Sequence, residues 1–273
     1  MKQEHIVKDG VYVPETDSVW PQKPDEPLLE PAHLRELVVD ENYPFIDKSL
    51  KYFVWRNFIF AVIWTLVFLL QHVRYGIKFV GLKNLRKNKA LFKNGAVTVS
   101  NHVYRWDYLA VVQAVKKRLW FPARAENLMG KDEALIRAVG GIPIAQNFSG
   151  TKKFYEAFDL LHKKKKWIHV FPESCRWTWY EPIRPFKRGA FEFSHRYDIP
   201  VIPIALRYRR PGALRRFFGV KHPLVTVVVG NPILPDMSLS LKKDSMRLLQ
   251  ECHKKIVDMA GIEKNLWPAF LES

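Results

Sequence analysis

Cysteine is almost absent from this chain: two residues, Cys175 and Cys252, in 273. That excludes a disulfide framework, favours a reducing compartment and leaves too few thiols for a cysteine-built zinc site. No apolar run follows Met1, so no secretory leader is expected. The GxSxG turn that displays a nucleophilic serine is missing. Internal repeats and low-complexity segments are missing too, which argues against solenoids and disordered linkers.

Acidic residues are scarce and unevenly placed. Asp and Glu number 27 against 44 Lys and Arg, a formal charge of +17. Residues 1–50 hold 11 of those acids and only 5 of the bases. The rest of the chain is therefore strongly basic and suited to anionic partners: nucleic acid, anionic lipid, or a phosphorylated or CoA-like substrate. A nucleic-acid reader would need a recognisable motif and aromatics on its basic face. Neither is seen, and no nucleic-acid partner is expected. Hydrophobic residues make up 48%, a globular composition.

Three regions follow. Residues 1–48 are acidic and proline-bearing, with little periodicity, and read as an irregular arm. Residues 49–75 contain the run FIFAVIWTLVFLL at 58–70, bracketed by Lys51, Arg56 and Arg74. Its length is borderline for a bilayer span, and Trp55, Trp64 and Tyr75 suit the headgroup level. A membrane-embedded or interfacial helix is expected; the alternative is a core helix of a soluble domain. Residues 76–273 alternate strand and helix patterns. Strands are expected at 76–81, 95–100, 119–124, 142–145, 167–171, 199–206 and 224–230, and helices at 106–118, 131–139, 150–164, 188–197 and 238–260. This order gives an α/β fold with a mixed, largely parallel sheet flanked by helices. Pro200 and Pro203 place the 199–206 strand at an edge or an end.

Candidate chemistry gathers at strand ends. In Asn101-His102-Val103-Tyr104-Arg105-Trp106-Asp107 a histidine leaves a buried strand with a carboxylate five residues on. A turn of that length can bring the carboxylate to one imidazole nitrogen and leave the other as a base. With no encoded nucleophile beside it, such a base would act on a hydroxyl or amine brought by the substrate. Downstream, Phe171-Pro172-Glu173-Ser174-Cys175-Arg176-Trp177 leaves another buried strand. Arg176 there suits a phosphate, and Glu173 a substrate hydroxyl or the loop itself. Each motif alone also has a structural reading: a surface histidine, or a Glu–Arg pair.

Taken in order, these segments resemble the glycerolipid acyltransferase family, and within it the 1-acyl-glycerol-3-phosphate acyltransferases. Asn101, His102 and Asp107 match its N-H-x4-D motif. Phe171, Pro172, Glu173 and Arg176 match its F-P-E-G-T-R motif, and Val201-Ile202-Pro203-Ile204 its proline-bearing strand. Lys131 stands where the family has a basic residue. The resemblance covers roughly residues 50–260. It implies that His102, oriented by Asp107, activates an acceptor hydroxyl toward an acyl thioester, with acyl-CoA or acyl-carrier protein as co-substrate and no cofactor or metal. Glu173, Arg176 and Lys131 would bind substrate. The implied partners are the thioester donor, a lyso-lipid acceptor and a membrane lipid surface, with the site facing the cytoplasm; the oligomeric state stays open. Two departures bear on the acceptor. The family's second motif ends in an arginine, whereas this chain runs Ile144-Ala145-Gln146-Asn147. Ser174-Cys175 replaces Gly-Thr in the third, so a thiol near the site raises a covalent acyl-enzyme as a rival route. A different lipid acceptor, or a non-catalytic relative, is the alternative.

Overall fold

The computed structural model describes residues 6–7, 12–14, 16–29 and 37–271. Nine strands and nine α-helices alternate over these residues. The strands are β1 (Ile6–Val7), β2 (Lys78–Val80), β3 (Val97–Ser100), β4 (Leu119–Ala123), β5 (Gly141–Pro143), β6 (Trp167–Val170), β7 (Val201–Arg209), β8 (Leu224–Val229) and β9 (Ile262–Lys264). The helices are α1 (Leu50–Val62), α2 (Phe68–Tyr75), α3 (Leu82–Lys87), α4 (Asp107–Val115), α5 (Glu133–Val139), α6 (Phe148–Lys163), α7 (Gly189–Tyr197), α8 (Ala213–Phe217) and α9 (Leu241–Ala260). Every expected strand and helix of the 76–273 region has a counterpart within a few residues.

Seven strands form one sheet in the order β2-β8-β7-β3-β6-β4-β5. β7, β3, β6, β4 and β5 run parallel, and β8 runs antiparallel to β7. The sheet is thus mixed and largely parallel, with helices on both faces. β1 and β9 pair separately. Side chains alternate along the strands as a pleat requires. Val97, Val99, Val201 and Ala205 face the core built with α6, α7 and α9. Ala96, Ile202, Ile204 and Leu206 face the core built with α1, α2 and α4. Gly140 ends α5 with φ +111°, and a Cβ there would lie 2.3 Å from the Leu119 carbonyl oxygen, so only glycine fits.

One expectation is corrected. β7 is an interior strand, flanked by β8 and β3. Its proline is tolerated because the ladder to β8 begins only at Ile204, opposite Val229. Beyond it the chain is held by the Val201–Ile233 bridge and by the Gly230 N–H donating to Pro203 O. The donor that Pro203 lacks falls in the gap between those two ladders.

α1 and α2 run as one continuous helix, Leu50–Tyr75, with a π-turn at Ile63–Val67. Ser49 caps its start by accepting from the Tyr52 N–H, and Gly76 ends it in the left-handed region. By length and composition it could cross a membrane. Its 26 residues reach about 39 Å. It is not a core helix: only 17% of its most apolar window is buried. Yet one side is fastened to the domain from end to end. Tyr52 Oη donates to Arg137 O at 2.7 Å, Arg118 Nη1 to Asn57 Oδ1 at 2.6 Å, and Tyr104 Oη to the buried Gln71 Oε1 at 3.1 Å. Arg56 lies 3.9 Å over the Trp120 ring.

The described residues of the arm lie against the domain. Trp20 is buried beside Tyr180, and Val39 exchanges hydrogen bonds with Gln146.

Two buried histidines couple this core to pH. Burial pushes His169 down to about 3 and His253 down to about 4. Both are neutral when folded and take up protons on unfolding below their ordinary value of 6.5. Stability is therefore complete above pH 6.5 and falls as pH drops toward about 4. Urea titrations of His169→Leu across this window should show a pH slope shallower by about 1.4 kcal/mol per unit than the parent's. An unchanged slope would contradict the buried, neutral state of His169.

Candidate active site

β3 and β6 are adjacent and parallel, with Val99 opposite Val170. The two motif loops therefore leave the same sheet edge side by side, which is why residues 70 positions apart in sequence meet. From β3, Asn101 turns inward. Its amide donates to Leu206 O at 2.9 Å and accepts from the Leu206 N–H at 2.8 Å, tying the loop to β7. His102 follows, and the chain turns so that Asp107 opens α4.

Asp107 is 1% exposed and organises that turn. Its Oδ2 accepts from the N–H groups of Val103 at 2.9 Å and Tyr104 at 3.3 Å, and its Oδ1 from Tyr108 N–H at 2.8 Å. The carboxylate also sits at the N-terminus of α4, where the helix dipole favours negative charge. His102 Nδ1 lies 2.7 Å from Asp107 Oδ2. An anion that accepts there fixes Nδ1 as the protonated nitrogen and leaves Nε2 with a lone pair. The imidazole is 21% exposed and stacks on Phe171, with ring centroids 3.9 Å apart at 18°. This geometry can take a proton from a hydroxyl presented at Nε2.

Glu173 stands differently from the sequence expectation. It is buried, and both oxygens are engaged by protein. Oε2 accepts from the His102 backbone N–H at 3.0 Å and from Arg184 Nη2 at 3.0 Å; Oε1 accepts from the Arg184 N–H at 3.0 Å. It holds the two loops together instead of facing a substrate. The Glu–Arg pair exists, but with Arg184 and not Arg176.

Arg184, 1% exposed, is a residue of this loop cluster that spacing did not reveal. Besides Glu173 it binds Cys175 O through Nη2, and Cys175 Sγ at 3.1 Å and Pro24 O at 2.8 Å through Nη1. The Trp177 indole N–H donates to Glu26 O at 2.8 Å. The arm around 20–26 is thus a strap over the third-motif loop, and it covers Cys175. A buried thiol under a strap is poorly placed to become an acyl-enzyme. Ser174, where the family carries glycine, keeps a left-handed backbone, φ +65°, at some steric cost.

Beyond the strap, Trp177 and Trp179 N–H groups donate to His102 O at 3.2 Å and Val103 O at 2.9 Å, zipping the two loops. Between them and the end of α2 opens a pocket of about 220 Å³, lined by Arg74, Arg105, Arg176, Thr178 and the rings of Tyr75, Tyr104, Trp179 and His222. Arg176 lines this cationic cleft, beside the His102 turn. Arg74 comes from the apolar helix and His222 from the loop before β8, sites that no motif marks. Lys131 is exposed in the turn before α5 and does not line the pocket. Its neighbour Asp132 approaches Arg105 at 3.8 Å.

The arginine missing from the second motif has a structural counterpart. Gln146 Oε1 accepts from Val39 N–H at 3.3 Å, and Asn147 Oδ1 caps α6 by accepting from Gly150 N–H at 2.7 Å. These positions anchor the arm and start a helix.

The family model for acyltransferases matches residues 76–207, the span that carries His102, Asp107, Lys131, Glu173 and Arg176. Residues 76–207 of this chain thus carry an acyltransferase-family domain. Among solved structures it is similar to the 1-acyl-sn-glycerophosphate acyltransferase PlsC from Thermotoga maritima. That match has 16% identity, 78% of this chain and 84% of the other covered, and a TM-score of 0.48. In this chain, the loop bearing Glu173 is stitched by a buried ion pair that also grips the arm.

Breaking that pair should be costly. Arg184→Met leaves Glu173 as a buried charge, and denaturant titration should show a loss of about 3–5 kcal/mol. The double change Glu173→Gln/Arg184→Met should lose less than the sum of the two singles. Additive losses would mean the two side chains do not act as a pair.

Proposed function

We propose that this chain transfers a fatty acyl group from an acyl thioester, acyl-CoA or acyl-carrier protein, to a free hydroxyl of a lyso-glycerophospholipid. The observation that carries the reading is the 2.7 Å His102–Asp107 contact beside a cleft of three arginines. His102 Nε2 takes the acceptor's hydroxyl proton as that oxygen attacks the thioester carbonyl. The carbon–sulfur bond breaks, and the thiolate leaves with the proton returned by His102. Asp107 holds the ring and stabilises its charged form in between. No protein atom becomes acylated.

Arg176, with Arg74 and Arg105, binds the acceptor phosphate; guanidinium forks match phosphate oxygens in pairs. Arg74 lies outside the family's motifs and Arg105 is a variable position within the first, and together they compensate for the second-motif position taken by Gln146. Glu173 positions His102 through its backbone and does not touch substrate. Lys131, exposed near Arg105, serves at most the rim. The apolar helix keeps the domain at a membrane surface, on the cytoplasmic side where thioester donors are made.

Purified His102→Ala, given donor and lyso-acceptor, should lose two to four orders of magnitude in turnover. Arg176→Gln should instead raise KM for a phosphate-bearing acceptor more than it lowers kcat. Turnover of His102→Ala within a few-fold of the parent would overturn the mechanism.

A further inference from the structure

The sequence after β7 folds into a feature that the acyl-transfer reading does not use. α8 is one short turn of helix; its Leu214 and Phe217, with Phe218 at its C-cap, stand at i, i+3 and i+4. Burying them against the domain would be the ordinary fate of such a triplet. Instead they are 71%, 83% and 74% exposed, with the two phenyl rings in edge contact at 5.4 Å. Around them stand the exposed cations Arg210, Arg216 and Lys221.

The knob is built rigidly. Gly219, at φ +77°, closes the helix: its N–H donates to Arg216 O, and the Val220 N–H reaches back to Arg215 O, as in a Schellman ending. Arg215 fastens the base of the knob to the end of the apolar helix. Its Nη1 donates to Val73 O at 2.6 Å and its Nη2 to His72 O at 3.3 Å. These carbonyls end α2, where a cation also complements the helix dipole. The knob is thus joined to a helix whose outer side carries Leu50, Phe53, Val54, Phe58, Leu66, Leu69 and Val73, each more than half exposed.

We infer that residues 210–221 form a second membrane anchor, which inserts Leu214, Phe217 and Phe218 into an anionic bilayer beside the apolar helix. The chemistry of this surface selects that partner. Exposed aromatic and aliphatic tips ringed by Arg and Lys match an interface of acyl chains under anionic headgroups. The surface also continues that of the helix through Arg215. Its consequence concerns the pocket. Arg74 and Tyr75 line it from the helix end, and His222 lines it immediately after the knob. Two anchors flanking the mouth would hold the cationic cleft at headgroup depth, so that a lyso-lipid enters sideways from the bilayer with its tail still in lipid. The inference rests on the membrane-surface reading above.

The test uses the full chain carrying Phe217→Cys, labelled with an environment-sensitive fluorophore; native Cys175 and Cys252 are buried, 5% and 0% exposed. Mixed with vesicles of phosphatidylcholine and phosphatidylglycerol, the label should shift to the blue as the protein sediments with the lipid. In parallel, Phe217→Ser/Phe218→Ser should weaken vesicle partitioning roughly tenfold or more. Arg210→Gln/Arg216→Gln/Lys221→Gln should weaken it by roughly fivefold per cation on these vesicles and little on phosphatidylcholine alone. Protein that sediments with lipid while its label stays in water overturns the second anchor and leaves the helix reading standing. Protein that does not bind vesicles overturns both. A blue shift that tracks protein concentration without vesicles overturns the proposal in favour of contact between copies of the chain. Thioester hydrolysis or transfer to a water-soluble short-chain acceptor reports on acyl chemistry separately.

Discussion

A single buried carboxylate holds this site together. Glu173 takes the His102 backbone N–H and the Arg184 guanidinium on one oxygen and the Arg184 backbone N–H on the other. A charge 2% exposed survives only when it is paired and its lone pairs are used; here the partners are His102 and Arg184, and Arg184 in turn grips the arm at Pro24 O. The loop after β3, the loop after β6 and the arm near Pro24 are fixed by that one requirement. His102 inherits its position from it; its ring direction comes from Asp107, which three N–H groups and a helix start hold in turn.

The division of labour follows. Local backbone bonds set the His–Asp geometry, and a buried ion pair sets where that pair stands relative to the neighbouring loop. The cations for an anionic ligand are then free to come from elsewhere. Arg74 enters from a membrane-type helix, Arg105 from the turn of the first motif and Arg176 from the third. Gln146 and Asn147 meanwhile anchor the arm and cap a helix. Losing a motif arginine therefore does not leave the cleft without positive charge. The formal excess of +17 is not all available to ligands, however. Arg209 binds Gly76 O and Thr226 Oγ1, and Arg215 caps the apolar helix, so part of the basic surface is structural.

What the sequence made legible was local. His102 and Asp107 share one turn, so their spacing alone allowed the contact. The strands and helices after residue 76 carried clear periods, and an α/β sheet covered on both faces followed from their alternation. The less legible features depended on contacts remote in sequence. Glu173 and Arg176 are three apart and suggested a pair, but the loop turns Arg176 to the cleft and folds back to deliver Arg184. The aromatic and cationic run after Trp177 was the available signal, without a period to say which cation goes inside. Pro203 argued for an edge because proline lacks a donor; the gap between two ladders on β7 is a register property that no single strand shows. Tyr104 and Trp179, stacked 5.7 Å apart at 8°, turn out to wall the cleft.

The proposed function rests on the encoded His–Asp pair acting on a hydroxyl brought by a phosphate-bearing lipid. The most direct measurement supplies pure protein and acyl-CoA with a panel of lyso-lipids and reads the products by mass. A product heavier by one acyl group is expected, formed fastest from acceptors whose phosphate is a free monoester. Acyl-CoA consumed with only free fatty acid released, or transfer with no preference for a phosphate-bearing acceptor, would contradict it.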